Sequence, residues 1–141
     1  MPLSAKERLE ARKAEIADLE DADAEARAEQ ELADLEEIEK LRAELGRSNV
    51  ALVEVPFTPG LPVLVAARCA TPAEVKKFQD RLREEKPDHA AAAKEVGALC
   101  RKYPDAEAWA KLIAARPIVA VQVGTAALNL ASGKLREAGK G

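Results

Sequence analysis

Large aromatic side chains are scarce in this chain. Phe57, Phe78, Tyr103 and Trp109 are all it has among 141 residues, a share of 3%. So few anchors predict a small core, with modest stability alone or help from an oligomer. Histidine is scarcer still, with His89 the single one. A metal site built on Cys69, His89 and Cys100 matches no recognised zinc spacing and has no evident fourth ligand. Two cysteines make no disulfide framework and fit a reducing compartment. Gly60, Gly97, Gly124 and Gly133 stand isolated, so no glycine-rich loop is present to cradle a phosphate. No basic segment is followed by an apolar one at the N-terminal end, so no secretory signal is expected. The apolar run Pro117–Ser132 is short for a membrane span and carries Gln122, Thr125 and Asn129. These absences predict a soluble, cytoplasmic protein that meets no membrane.

Charge is plentiful and unevenly placed. The formal net charge is −3. Residues 1–46 hold 15 acids against 7 bases, and residues 47–141 hold 10 against 15. The bases Lys76, Lys77, Arg81, Arg83 and Lys86 are mixed with Asp80, Glu84 and Glu85, which reads as a solvated face. No basic stripe interleaved with aromatics is present, so nucleic acid is not an expected partner. An acidic helix and a basic body on one chain favour ordered self-association, so a homo-oligomer is expected.

From residue 4 to about 45 there is neither proline nor glycine, and Ala, Glu, Leu, Lys and Arg dominate. This predicts one long helix, opened by Ser4 with Glu7 and closed by Gly46. Leu9, Ile16 and Leu19 are followed by a stretch with alanine as its only apolar residue. Leu32, Leu35, Ile38, Leu41 and Leu45 then make a stripe. The first part is expected to project or fray and the last three turns to dock. The central gap means the helix does not show a clean heptad seam. Val50–Val55 and Val63–Arg68, joined across Pro59-Gly60, predict an antiparallel hairpin. Two strands are marginal alone and need helices on one face, or a sheet edge borrowed from a neighbour.

Four helices follow in the reading. Thr71, Pro72 and Glu74 open the first, with Val75, Phe78 and Leu82 on one face and Pro87 as its stop. Asp88 opens the second, with Val96, Leu99 and Cys100 inward, ending near Tyr103-Pro104. Asp105 opens the third, with Trp109, Leu112 and Ile113 in a stripe. Pro117 opens the fourth, with Ile118, Val121, Ala127, Leu128 and Ala131 buried and Gly133 as its end. Gly124 lies in mid-helix, where it costs up to about 1 kcal/mol against alanine. That predicts a tight helix crossing inside the domain. The fold class is therefore α+β, mostly α. Residues 1–46 are a long acidic helix, 47–133 a small α+β helical domain, and 134–141 a basic flexible tail.

The chemistry-bearing residues point away from turnover. Carboxylates cluster only on the solvated N-terminal helix, as at Glu36, Glu37 and Glu39, whereas general acid–base work needs a shaped, partly dry pocket. No catalytic residue, metal ligand or cofactor site is assigned, and the chain is read as a non-enzyme. Two competing classes are a coiled-coil-bearing structural subunit and a small nucleic-acid regulator.

One ordered set of motifs spans residues 50–133. An aliphatic hairpin ends in Arg68. Then come Thr71-Pro72-x-Glu74-Val75-x-x-Phe78, and Cys100 three residues before Tyr103-Pro104. A Trp109/Leu112 helix, a break at Pro117 and a closing Leu130-Ala131-x-Gly133 complete it. This order resembles the tail assembly chaperone family of tailed bacteriophages and related prophage elements. The resemblance implies a non-enzymatic protein of the host cytoplasm that binds the tape measure protein, keeps it soluble and takes tail tube subunits as a further partner. It also implies release from the finished particle. Helix faces bearing Val75, Phe78, Trp109 and Ile113 are the candidate groove for a partner helix. A place in the chain's own core is the preferred reading for each of these residues.

Overall fold

Ala5–Leu45 forms one continuous helix, α1, in the computed structural model, which describes residues 4–140. Ser4 caps it by accepting the Glu7 N–H at 3.2 Å. Gly46 ends it at φ 92°, a left-handed conformation that glycine adopts without penalty. A single 3-10 turn, Arg47–Asn49, then leads into the strands β1, Val50–Glu54, and β2, Leu64–Arg68. The register runs from Val50 opposite Arg68 to Glu54 opposite Leu64. Next come α2 (Pro72–Leu82), α3 (His89–Cys100), β3 (Arg101–Tyr103), α4 (Ala106–Ala115) and α5 (Ile118–Lys140). The fold is α+β and mostly α, as the sequence predicts.

The hairpin finds its further edge inside the chain. Arg101–Tyr103 is a third, antiparallel strand on β2, giving the order β1-β2-β3. The sequence pattern places these residues at the end of a helix, so the strand is a correction. The strand is only three residues long, too short for a period-2 pattern to register.

Period-2 alternation on β1 and β2 sends side chains to two layers. Val50, Leu52, Leu64 and Ala66 pack with Leu35, Ile38, Leu41 and Leu45 of α1. Val53, Val65 and Ala67 belong to the larger core, with Val96, Cys100, Leu112, Val119 and Val123 from α3, α4 and α5. The sheet is thus covered on both faces, by α1 on one and the helical body on the other.

Asp34 fixes the α1 layer. It is fully buried on the docking face. Its Oδ2 accepts the N–H groups of Val63 at 2.8 Å and Leu64 at 3.1 Å. Its Oδ1 accepts from Gln30 at 2.9 Å and from the Tyr103 hydroxyl. A buried carboxylate is tolerable only when satisfied in this way. Burial, then the hydrogen bond to Asp34, pushes the Tyr103 phenol above its ordinary range. Asp34 therefore joins α1 to the start of β2 and to β3.

The second layer is held by a close crossing of α3 and α5. A Cβ added at Gly97 would lie 2.2 Å from the Ala120 carbonyl oxygen, and one at Gly124 would lie 1.9 Å from that of Ala93. Backbone meets backbone here, so the expected tight crossing at Gly124 is present, with Gly97 as its unread counterpart.

Several expectations are corrected. Leu32 stays exposed and Asp34 takes its place in the buried stripe. Leu99, expected inward, is 55% exposed, because Val96 and Cys100 already fill the inner face of α3. On α5 the buried side is Val119, Ala120, Val123 and Ala127, while Ile118 is 59% exposed and Val121 half-buried. The small residues that permit the α3 crossing set the rotation of α5, rather than the largest side chains. Helix α2 stops at Leu82, before Pro87. Gly133 does not end α5, which continues to Lys140 through the basic segment expected to be a flexible tail. Gly133 there has an ordinary helical backbone, and good helix formers follow it. Gly141 lies outside the described residues. Among the described residues no single helix is long and apolar enough to cross a membrane.

Candidate interaction surface

Helix α2 is the element most elaborately pinned. Thr71 accepts the Glu74 N–H at 3.2 Å, and Glu74 accepts the Thr71 N–H at 2.8 Å, the reciprocal capping box expected from Thr-Pro-x-Glu. Glu74 also takes a two-pronged hydrogen bond from Arg68 at the end of β2, at 2.7 and 2.9 Å. The Arg68 guanidinium reaches on to the carbonyls of Cys69, at 3.2 Å, and Leu99, at 3.3 Å. One ion pair therefore ties together the exit of β2, the start of α2 and the end of α3. The Arg68 hydrogen bond, reinforced by the Thr71 N–H, lowers the Glu74 pKa to about 2.

The cysteines flank this junction. Cys100 is fully buried, with its Sγ 3.9 Å from Glu74 Oε1. Burial pushes its thiol pKa up to about 11. That holds it as a thiol at neutral pH, the opposite of an activated nucleophile. Cys69 is half-buried, and His89 is exposed at the first position of α3. Among the described residues no group of three or more His, Cys, Asp or Glu side chains is placed to hold a metal ion.

Two apolar recesses lie on either side of α2. The larger, of about 150 Å³, is lined by Cys69, Ala70, Pro72, Val75, Ala131 and Lys134. The smaller, of about 30 Å³, runs between α2 and α3. Phe78, Val96 and Leu99 give it an apolar floor, and Lys77, Arg81 and Glu95 give it a charged rim. Arg81 pairs with Glu95 across it.

The four predicted partner-binding residues fall in three places. Val75 lines the first recess and Phe78 the second, and both also rest on the core. Trp109 and Ile113, on α4, pack against the same core and line neither recess. The Arg101 guanidinium sits 5.9 Å from the centre of the Trp109 ring, a cation–π contact inside the domain. The four residues therefore do not form one groove. Leu99 and Pro72, both exposed, join the half-buried Val75 and Phe78 instead. Leu99 lies off the inward side of α3, which Ala92, Ala93, Val96, Gly97 and Cys100 make up.

Comparison with protein-family models, with curated proteins and with solved structures finds no match for this chain.

Proposed function

We propose that this chain is a non-enzymatic polypeptide-binding factor, a tail assembly chaperone of a tailed bacteriophage acting on the tape measure protein. The observation that supports the reading is the pair of apolar recesses around α2, with the exposed Leu99 lining the second. An amphipathic partner helix lying along α2 and α3 would place its apolar side chains over Phe78 and Leu99. The rim charges Lys77, Arg81 and Glu95 would set its direction. The acidic, solvated α1 would keep the loaded complex soluble.

The test is co-expression with a fragment of the tape measure protein. The fragment should be insoluble alone, and soluble and captured with this chain. Leu99→Asp, at an exposed position, should abolish capture without loss of fold by circular dichroism. A fragment equally soluble with or without this chain would refute the proposal.

The exposed length of α1 favours a second reading, a structural subunit that stays in a large assembly. Mass spectrometry of purified particles separates the two, because a chaperone leaves the particle and a subunit remains.

A further inference from the structure

Among the described residues, the N-terminal half of α1 is regular structure that no other element covers. Every residue from Ser4 to Glu29 is exposed. Leu9, Ile16 and Leu19 are 55%, 47% and 65% exposed. They belong to the series 9, 12, 16, 19, 23, 26, alternating steps of three and four, which forms one seam along a helix. Ala26 holds another place in it, and Arg12 and Asp23 hold the remaining two. Arg8, Ala11, Arg12, Glu15, Ile16 and Leu19 line a shallow groove along that side of the arm.

Charge is polarised along the arm. Residues 5–14 carry four bases and two acids, while residues 15–29 carry one base and seven acids. We propose that two copies of the chain pair through these arms as an antiparallel two-stranded coiled coil, with its twofold axis between Ala17 and Asp18. In that register Ile16 of one copy meets Leu19 of the other, Arg12 meets Asp23, and Leu9 meets Ala26. Each layer occurs twice, as an isologous interface requires.

The two charges that break the apolar repeat in a single chain become opposite charges across the pair. The basic end of each arm lies beside the acidic stretch of the other. A parallel pair would set Arg12 against Arg12 and Asp23 against Asp23, with the acidic stretches side by side. Sliding the antiparallel pair by one heptad either way sets Arg12 against Ile16 or Asp23 against Leu19. The length also fits. Ala5 of one copy falls opposite Gln30 of the other, and Gln30 is the first residue of α1 to lose its exposure to the body. This pairing does not rest on the reading of α2.

Disulfide trapping in the full chain tests it, using a Cys69→Ser background. Leu9→Cys and Ala26→Cys chains, mixed and mildly oxidised, should give a covalent dimer, while either alone stays monomeric on a non-reducing gel. Adding Ile16→Glu to both should abolish the crosslink. Light scattering of the wild-type chain should give about twice the 15.1 kDa of one chain. A crosslink within either single variant means a parallel pair and overturns the proposal. So does the lack of any crosslink in the mixture, or one that survives Ile16→Glu.

Discussion

Alanine at Gly124 and alanine at Gly133 are the same change in the same helix, and the structure assigns them opposite signs. Helix propensity alone makes both stabilising, by about 1 kcal/mol. At Gly133 the added methyl would have no described heavy atom within 4 Å, so Gly133→Ala should realise most of that gain. At Gly124 the methyl would lie 1.9 Å from the Ala93 carbonyl oxygen, 2.8 Å from its carbon and 3.0 Å from the Gly97 nitrogen. All three are backbone atoms of α3, and none can rotate away. Helices α3 and α5 would have to part by at least about 1 Å, opening the core along Val96, Cys100, Val119 and Val123. Overpacking of this kind costs roughly 1–3 kcal/mol. With rigid backbone on both sides we take the upper end. After the propensity gain, Gly124→Ala should lose about 2 kcal/mol. At roughly 3–5 °C per kcal/mol for a chain of this size, its Tm should fall by about 6–10 °C while that of Gly133→Ala rises by a few degrees. Thermal melts by circular dichroism, with urea unfolding for ΔG, read both. A Gly124→Ala protein as stable as the wild type would refute the close backbone crossing.

Removing the carboxylate in Asp34→Ala strands the Val63 and Leu64 N–H groups and the Tyr103 hydroxyl in a buried site. It should cost about 3 kcal/mol or more and expose α1 to limited proteolysis, and unchanged protection would contradict the docking role. Glu74 has its pKa lowered to about 2 from 4.5, so its stabilising contribution is complete above the unfolded value and fades as pH falls towards about 2. Tm measured between pH 5 and 2.5 should therefore drop less in Glu74→Gln than in the wild type. Cys100, buried and with its pKa pushed up to about 11, should resist a thiol reagent at pH 8 until denaturant is added. Rapid labelling of two thiols per native chain would show that the site opens.

Helix α1 shows how one element can be divided by its surroundings. From Gln30 onward it carries Asp34, Leu35, Ile38, Leu41 and Leu45 against the sheet. Before that point about 25 residues, some 37 Å at 1.5 Å per residue, are all exposed. Nothing in local propensity marks the boundary, since both halves are rich in helix formers.

The sequence by itself determined what depends on neighbours a few residues apart. Thr71, Asp88 and Asp105 each cap the helix assigned to them, because a cap bonds an N–H three residues on, and Glu74 bonds back to the Thr71 N–H. The hairpin emerged within a residue of its ends, because alternation and Pro59-Gly60 are local signals. What lies between distant segments was decided only in three dimensions. Asp34 read as one more acid on a solvated helix until β2 and β3 brought their donors to it from about 30 and 70 residues away. Leu99 and Ile118 faced outward because Gly97 and Gly124 fixed how α3 and α5 rotate against each other. A side chain's neighbours along the chain set its local conformation. Its burial depends on which backbones can approach most closely, and that is a property of the assembled fold.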